Sequence, residues 1–459
     1  MVYSSLLYIY GFLPISLMLY YLTPRKWREI TILLLSIAFC GMISLYFLIF
    51  ISVFTIINYC CIKLIEKFRR NEKLASVPLV FGIVFDLLAL FAFRTEYFTW
   101  LHRLIKAPEG FFPIGISFFV LSATGTLIDV YKKRLSCRCS LMRFSIYIMF
   151  FPKLIMGPLL RYGSFSKLLD SRKSSLSGIG VGMTVFVKGL AKKVIIADNL
   201  YMLYRSVQSS NFNEISAVTA WLGITAYIFC LYFTLSGVAD MGTGIAYCFG
   251  IRLPHSFNYP LLSSRIKYFA ARWQSQVVQW LRRYITKPLY NSSEKKWLWE
   301  AVFIFGWSLF GFWYTFDLNG LVFGALMGAF IITEARLREK KIMELTGIFY
   351  TFLIVILCSV FLSGSSFSYS VKYFLVMIGG NGTIADTQAF YLTKSYIVLI
   401  LLAMYASTDL FRNMMTRSGK KKLKIALNIV SPMVVAVLLI ICTALISYSG
   451  SSEMLLLKL

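Results

Sequence analysis

The stretch ITILLLSIAFCGMISLYFLIFISVFTIINYCCIKLI, residues Ile30–Ile65, is apolar or weakly polar except for the charged side chain of Lys63. A helix needs ~20 apolar residues to cross a bilayer, so this stretch is long enough for two spans. Gly41 lies inside it and predicts a tight turn between them. The stretch therefore predicts a helical membrane protein with more than one span.

Similar apolar runs recur through the whole chain, which is 58% hydrophobic and 15% charged with a mean hydropathy of +0.71. A soluble protein of this size has roughly 25% charged residues. The further runs are Leu6–Leu22, Val77–Phe93, Val218–Leu235, Ala301–Phe316, Leu321–Ile332, Phe349–Leu362, Tyr391–Tyr405 and Ile425–Ile446. We predict an all-α polytopic membrane protein with about 11 transmembrane helices, plus re-entrant and interfacial helices around a central chamber.

The net charge of +27 has two interpretations, nucleic-acid binding or basic cytoplasmic loops. The second is favoured, because the basic clusters lie between apolar runs, at Arg25–Arg28, Lys63–Lys73, Arg336–Lys341 and Arg412–Lys424. Counting spans between these clusters places the N-terminus outside the cytoplasm. Membrane lipids are therefore expected partners and nucleic acid is not.

The chain is predicted to form one membrane domain, 1–459, because no polar linker divides its apolar segments. Ordinary spans are expected in 1–107 and 336–459. In 108–335 the apolar runs are broken by Pro, Gly and charge, at Phe112–Gly115, Phe151–Lys153, Gly157–Pro158, Ser236–Gly237, Pro254 and Pro260. Irregular backbone at membrane depth needs surrounding protein or a water-filled cavity, which is why a chamber is predicted here.

Two local features of the sequence predict neither a metal site nor a cleavable leader. Cys137 and Cys139 form a CxC pair without the further ligands that zinc needs, so no metal site is predicted. The first apolar run lacks a basic region before it, so no cleavable signal peptide is expected.

The segment SSRIKYFAARWQSQVVQWLRRYITKPLY, residues Ser263–Tyr290, is too polar to span a membrane. Ser263 or Ser264 could cap a helix there. Two alternatives are open: an amphipathic helix in the membrane interface, or a buried helix that lines a polar cavity.

Charged side chains inside apolar runs are functional candidates by default. They are Asp86, Asp129, Asp198, Asp240, Asp317, Lys188, Lys192 and Lys193. We expect Asp198 to form an ion pair with Lys192 or Lys193. Asp86 is expected either at the end of a span or against a neighbouring helix.

Six blocks between Phe111 and Gly328 resemble, in order, the bacterial membrane-bound O-acyltransferases of alginate O-acetylation and teichoic-acid D-alanylation. The first four blocks are FFPIGISFFVLSATGTLIDVYKK (Phe111–Lys133), FFPKLIMGPLLRY (Phe150–Tyr162), KGLAKKVIIADNL (Lys188–Leu200) and YFTLSGVADMGTGIAYCFGIRLPHSFNYP (Tyr232–Pro260). The last two are YFAARWQSQVVQWLRRYIT (Tyr268–Thr286) and GFWYTFDLNGLVFGALMG (Gly311–Gly328).

The resemblance implies a catalytic site in the last two blocks, where the family has histidines. In register with those histidines stand Gln274, Tyr314 and Met327. We take Gln274 and Tyr314 as the substituted catalytic positions, with Asp317 as a replacement base. The residues expected to line the chamber are Arg272, Trp273, Trp280, Asp240, Asn258, Trp313, Asn319 and Met327.

The family is understood to pass an acyl group from a cytoplasmic thioester, carried by an acyl carrier protein or coenzyme A, to an extracytoplasmic hydroxyl. That hydroxyl must lose a proton, and histidine is a suitable base. Glutamine cannot accept a proton, and a tyrosine with an ordinary pKa of ~10 is almost entirely neutral at pH 7. Tyr314 could still donate a hydrogen bond to a developing oxyanion.

The chain contains two histidines, His102 and His255. His102 lies in an aromatic stretch and is expected to be an interfacial anchor. His255 follows Pro254 at a position that the family leaves variable, so no catalytic role is predicted for it. The alternative is that His255 approaches the chamber and compensates for the substituted histidines.

The resemblance implies a protein of the bacterial cytoplasmic membrane, and three functions are open for it. The first is a protein of cell-envelope polymer O-acylation that lacks histidine-dependent catalysis and serves as partner, acyl conduit or regulator. It would work beside an extracytoplasmic acyltransferase or a polymer-export partner. The second is an active O-acyltransferase of altered mechanism that uses Tyr314, Asp317 or Asn319. The third is a lipid or small-molecule transporter.

Overall fold

The structure is a computed structural model that describes residues 3–95, 111–135, 139–212, 214–290, 296–337, 343–408 and 421–449. At 296, 343–345, 421–429 and 449 it describes the backbone alone. The described residues are mostly helical and contain no strand, which confirms the all-α prediction. His102 and Cys137 lie outside the described residues, so the interpretations given for them stay predictions.

Within the described residues, seven helices are long and apolar enough to cross a membrane. They are Leu45–Lys67, Glu72–Arg94, Ala217–Cys248, Leu318–Arg336, Thr346–Ser363, Thr387–Ala406 and Val430–Tyr448. Two shorter apolar helices are Leu7–Leu22 and Ile116–Tyr131. The total of about 11 spans stays a prediction.

The described residues form two compact units. The first lies within Met1–Gly189 and Val238–His255. Its helices are Leu7–Phe12, Leu13–Leu22, Arg28–Ile43, Leu45–Lys67, Glu72–Arg94, Ile116–Tyr131, Leu141–Met149, Phe151–Leu154, Tyr162–Asp170 and most of Leu176–Ala191.

The second unit lies within Leu190–Gly237 and Ser256–Lys458. Its elements are Lys192–Ala197, Asp198–Gln208, Pro260–Leu262, Ile266–Arg272, Ser275–Leu281, Arg282–Thr286, Lys287–Tyr290, Lys296–Thr315, Leu318–Arg336, Met343–Ser363, Phe367–Met377, Thr387–Ala406 and Lys421–Ser449. The Ala217–Cys248 helix contributes residues to both units. The single domain over 1–459 stays a prediction.

The stretch Ile30–Ile65 forms two helices, as predicted. They are Arg28–Ile43 and Leu45–Lys67. The break falls at Ser44, whose backbone is extended (φ −169°, ψ 144°), and not at Gly41. Gly41 stays inside the first helix because a single glycine costs a helix only about 1 kcal/mol, which packing can offset.

The predicted break at Ser236–Gly237 is wrong. The Ala217–Cys248 helix is continuous over 32 residues, and Ser236 is buried inside it. The physical reason is the same as at Gly41: neither residue forbids a helix, and burial along this helix outweighs their weak propensity.

Two predictions about charged residues in apolar runs are confirmed. Asp86 is fully buried and contacts neighbouring helices, accepting hydrogen bonds from Asn58 Nδ2 (2.8 Å) and Thr124 Oγ1 (2.7 Å). Lys193 Nζ lies 3.1 Å from Asp198 Oδ2. Both arrangements satisfy a buried charge or its partner, as buried polar groups require.

A tight turn surrounds Lys153 in the first unit. The short helix Phe151–Leu154 lies against Gly115, which has φ 75°, and a methyl group added at Gly115 would lie 1.9 Å from the Leu154 carbonyl oxygen. One added at Gly157 would lie 2.3 Å from Lys153 Cα. These close approaches to the backbone of Lys153 and Leu154 require glycine at both positions, and the Lys153 side chain between them in sequence is buried.

Candidate active site

The segment Ser263–Tyr290 is broken in the middle. Helix Ile266–Arg272 ends before Trp273, and helix Ser275–Leu281 starts after Gln274. Gln274 has a left-handed backbone (φ 39°, ψ 50°), which is uncommon for a residue other than glycine. Strained backbone of this kind costs about 1–3 kcal/mol and concentrates at functional sites. Neither the interfacial nor the cavity-lining alternative anticipated a break here.

Loop residues fix both sides of this break. The backbone N–H of Asn258 donates to the Arg272 carbonyl (3.1 Å), and that of Ser275 donates to the Ser256 carbonyl (3.1 Å). The ring of Trp273 also contacts Phe269 and Phe257, with centroids 5.3 and 5.5 Å away. The left-handed backbone at Gln274 is therefore held by hydrogen bonds on both sides of it and by the aromatic contacts of its neighbour Trp273.

Tyr314 comes to the same place from a helical hairpin. It lies near the end of Lys296–Thr315, which is joined to Leu318–Arg336 by a turn at Phe316 and Asp317. Glycines let the two helices approach closely: a methyl group at Gly311 would lie 2.0 Å from the Gly320 carbonyl oxygen, and one at Gly324 would lie 2.0 Å from the Trp307 carbonyl oxygen. The hairpin thus sets the position of Tyr314.

Trp273, Tyr314 and Gln274 form one buried hydrogen-bonded cluster, which we call the Trp–Tyr–Gln cluster. Trp273 Nε1 lies 2.7 Å from the Tyr314 hydroxyl, and that hydroxyl lies 2.7 Å from Gln274 Oε1. Their exposed fractions are 5%, 4% and 3%. Residues 40 positions apart in sequence are thereby joined.

The chemistry of the three groups fixes the direction of these bonds. An indole N–H is a donor only, so the Tyr314 oxygen accepts from Trp273. The single phenolic proton is then donated to Gln274, so the amide oxygen faces Tyr314. The Gln274 Nε2 group is buried and has no acceptor among the described residues. The cluster therefore fixes the direction of the Tyr314 hydroxyl proton. The group that receives that hydrogen bond, the Gln274 amide, is not a base.

An apolar cavity adjoins the cluster. It is narrow, with space close to what one water molecule needs. Its lining carries no charge and consists of Ile228, Leu231, Phe269, Ala270, Trp273, Trp307, Phe310, Tyr314, Phe323, Met327, Val355 and Leu362. Among the residues expected to line a chamber, Trp273 and Met327 do line this cavity.

Asp317 has a structural role in the described geometry. Its Oδ1 caps the Leu318–Arg336 helix by accepting from the Gly320 N–H (2.9 Å), and it also accepts from the Thr315 hydroxyl. N-cap aspartates of this kind stabilise a helix by about 1 kcal/mol. The use of Asp317 as a replacement base stays a prediction. Its Oδ1 already accepts the two hydrogen bonds from Gly320 and Thr315.

Glu334 is a residue that sequence reasoning missed. The expected cap at Ser263 or Ser264 is wrong, because the helix begins at Ile266 with Arg265 as its N-cap. The Ile266 N–H instead donates to Glu334 Oε2 (2.9 Å) on the Leu318–Arg336 helix. A carboxylate favours the positive end of a helix. The signal in the sequence was weak, since Glu334 lies just beyond the apolar run Leu321–Ile332 and beside the basic cluster Arg336–Lys341.

The other predicted residues lie outside the cavity lining. Trp313 packs against Tyr314 and Phe310, and Trp280 packs against Tyr284. Asn319 is buried and donates to the Gly364 carbonyl (3.1 Å), while the Arg272 side chain is partly exposed.

Asp240 belongs to the first unit, where its Oδ1 lies 4.0 Å from His255 Nδ1. The His255 side chain is 66% exposed. Asp240, which was expected to line the chamber, thus lies near His255. The place of Asp240 in a chamber stays a prediction.

Comparison with known proteins agrees with the motif blocks. A model of the membrane-bound O-acyltransferase family matches residues 32–362, more than half of the chain. A "Probable alginate O-acetylase AlgI" of Azotobacter vinelandii is 30% identical over 442 residues, covering 92% of this chain and 88% of that protein.

Two other relatives are named for other acyl-transfer reactions. A peptidoglycan O-acetyltransferase of Helicobacter pylori is 25% identical, over 83% of this chain and 80% of its own length. A teichoic acid D-alanyltransferase of Bacillus subtilis is 25% identical, over 70% of this chain and 82% of its own length. Family match, motif order and the helical, multi-pass architecture agree: the chain belongs to the membrane-bound O-acyltransferase family.

Proposed function

We propose that this protein serves the O-acylation of a bacterial cell-envelope polymer without conventional histidine-dependent proton transfer, as a partner, acyl conduit or regulator. Its relatives act on alginate, peptidoglycan and teichoic acid, which supports the polymer class. It would lie in the bacterial cytoplasmic membrane with its N-terminus outside. The expected acyl donor is a cytoplasmic acyl carrier protein or acyl-CoA, and an extracytoplasmic acyltransferase or polymer-export protein is the expected partner.

The observation that carries this proposal is the direction of the Trp–Tyr–Gln cluster. Acyl transfer to a hydroxyl requires a group that takes its proton. The Tyr314 proton is directed at the Gln274 amide oxygen, which cannot accept a proton covalently. Asp317, the neighbouring carboxylate, caps a helix. The cluster is suited to holding a ligand and not to removing a proton from it.

The substitution Tyr314→Phe tests this proposal. It removes the phenolic group and keeps the ring, so acylation of the envelope polymer in cells should fall by less than about tenfold per molecule of protein, whereas loss of a general base removes ~10²–10⁴-fold. The measurement is the ester content of the purified polymer, normalised to the amount of membrane protein. Tyr268→Phe, at an exposed tyrosine, is the matched control. Loss of acylation to background in Tyr314→Phe alone would contradict the proposal.

A second candidate function is an active O-acyltransferase that moves an acyl group from a cytoplasmic thioester to an extracytoplasmic hydroxyl. The observation that favours it is that His255, the described side chain best suited to accept a hydroxyl proton, lies near a carboxylate, with Nδ1 4.0 Å from Asp240 Oδ1, a separation longer than a hydrogen bond. Purified protein should then turn over a thioester with a hydroxyl acceptor, and His255→Ala should abolish that turnover. The transporter alternative stays a prediction.

A further inference from the structure

Glu334 is a buried acid near the end of the Leu318–Arg336 helix. Its Oε2 accepts the hydrogen bond from the Ile266 backbone N–H (2.9 Å), and the carboxylate also accepts from the Lys267 N–H. The Arg265 Nε atom lies 4.0 Å from Oε1, beyond hydrogen-bond distance. Burying a carboxylate is costly unless hydrogen bonds satisfy it. The described donors that satisfy Glu334 are thus backbone groups at the start of the next helix, which begins at Ile266.

This helix connects Glu334 with the Trp–Tyr–Gln cluster. Ile266 and Trp273 are seven positions apart, and so are Glu334 and Met327 on the other helix. Seven helical residues extend about 10 Å. Glu334 contacts Ile266 at one end of this length, and at the other end Met327 and Trp273 line the same cavity. The two helices therefore lie side by side in opposite chain directions, with the cluster at the end remote from Glu334.

The hairpin of two helices carries both Tyr314 and Glu334, one on each helix. Close glycine contacts fix these two helices against each other. The hairpin thus contacts the Ile266–Arg272 helix at its start, through Glu334, and again beyond its end, where Trp273 Nε1 lies 2.7 Å from the Tyr314 hydroxyl. Hydrogen bonds from N–H groups weaken beyond about 3.2 Å, so a shift of roughly 0.5 Å at the end of this helix is enough to weaken the cluster.

We infer that Glu334 is a positioning residue: by holding the start of the Ile266–Arg272 helix on the hairpin, it sets the geometry of the Trp–Tyr–Gln cluster at the other end. Glu334 contacts no ligand in this arrangement and transfers no proton. The inference rests on the proposed function in one respect, because it treats the cluster as the part of the protein that holds a ligand.

Fluorine NMR on the full-length protein in detergent tests the inference, with 3-fluorotyrosine incorporated at position 314. The fluorine lies beside the phenolic oxygen, so its chemical shift reports on the hydrogen bonds of that oxygen. Trp273→Phe in the labelled protein shows how the resonance moves when the indole donor is lost. Glu334→Leu should move the resonance in the same direction. Glu334→Gln keeps an oxygen that accepts from Ile266 and should leave the resonance near its wild-type position.

Glu300→Leu is the matched control for the loss of an acid. The Glu300 side chain is 12% exposed and lies on the same hairpin, but its partner is Arg336. The fluorine resonance should therefore stay at its wild-type position in this variant.

Ile266→Pro removes the same hydrogen bond from the other side. Proline has no backbone N–H, and its fixed φ suits the first position of a helix. The extended backbone of Arg265 (φ −144°, ψ 145°) also suits a residue before proline. The variant leaves Glu334 in place and should move the resonance in the same direction as Glu334→Leu. Ile266→Val, which keeps the N–H and shortens a buried side chain, should not move it.

Polymer acylation in cells supplies a second readout through a double-mutant cycle. Substitutions at distant, independent sites have additive free-energy effects, so their fold-losses multiply. Glu334 acts through the cluster in this inference, so Glu334→Leu combined with Tyr314→Phe should lose no more acylation than the more affected single variant. A multiplied loss would count against the positioning role.

Three results would overturn the inference. They are an unmoved resonance in folded Glu334→Leu protein, an equal shift in Glu334→Gln, and an equal shift in Glu300→Leu. Folding is judged from the thermal unfolding midpoint, and if Glu334→Leu does not fold, the comparison of Ile266→Pro with Ile266→Val decides. If polymer esters are the same with and without the protein while the resonance moves as expected, the proposed function fails and the positioning role stands.

Discussion

At the scale of single residues, Lys153 is an ionisable side chain that lies deep inside the protein. It is 4% exposed, and its Nζ has no hydrogen-bond acceptor among the described residues. The Nζ atom lies 3.8 Å from the centre of the Tyr147 ring. A desolvated cation over an aromatic face gains about 2 kcal/mol, which offsets only part of the cost of burying a charge. Lys153 therefore lowers the stability of the first unit.

Lys153→Met should raise stability by about 1–3 kcal/mol, because it keeps an unbranched apolar side chain and removes the buried charge. The measurement is the midpoint of thermal unfolding of the purified protein in detergent. Lys188→Met, at an exposed lysine, should leave the midpoint nearly unchanged. A lower midpoint for Lys153→Met would mean that the ammonium has a stabilising partner.

Gln274 shows where residue-level prediction ends. The motif register selected Gln274 and Tyr314 together, and the structure places them in hydrogen-bond contact. The left-handed backbone of Gln274 could not be predicted. Glutamine itself does not prefer that conformation, and the contacts that support it come from the 256–258 loop.

At the scale of elements, the hairpin of Lys296–Thr315 and Leu318–Arg336 depends on its glycines. Gly324 lies against the backbone of Trp307, where an added methyl group would come within 2.0 Å of the carbonyl oxygen. Backbone cannot yield in the way that the end of a flexible side chain can. The helices would separate, and Tyr314 would move away from Gln274.

Gly324→Ala should therefore destabilise the protein by about 1–3 kcal/mol, as overpacking typically does. The intrinsic helix propensity of alanine would by itself stabilise by about 1 kcal/mol. Gly180→Ala, in a helix where an added methyl group meets nothing within 4 Å, shows that propensity effect alone. Thermal unfolding compares the two variants, and equal midpoints would contradict close packing in the hairpin.

Helices were predictable from the length of apolar runs, but their interruptions were not. Ile30–Ile65 is too long for one span, so two helices followed directly from bilayer thickness. Local residue types predicted a break at Ser236–Gly237, which remains helical, and a continuous helix across Trp273–Gln274, where the helix is interrupted. In both places tertiary contacts outweigh local preference.

At the scale of the whole molecule, the net charge of +27 predicts dependence on anionic lipid. Each basic side chain near an anionic surface gains roughly 1 kcal/mol, and salt screens that attraction. In nanodiscs of mixed phosphatidylglycerol and phosphatidylcholine, the unfolding midpoint should exceed that in phosphatidylcholine alone. The difference should largely vanish near 1 M salt, where the screening length is about 3 Å. A difference that salt leaves unchanged would indicate uncharged lipid contacts instead.

The length of Ala217–Cys248 has a consequence for bilayer mechanics. At ~1.5 Å per residue, its 32 residues extend roughly 48 Å, well beyond a hydrocarbon thickness of ~30 Å. A helix that faces lipid would meet this mismatch by tilting or by thickening the bilayer. Of the 18-residue apolar stretch that qualifies this helix as a candidate span, 89% is buried within the protein. The corresponding share for Val430–Tyr448 is 11%. Protein packing therefore sets its tilt, and thinner or thicker membranes should act first on the peripheral helices.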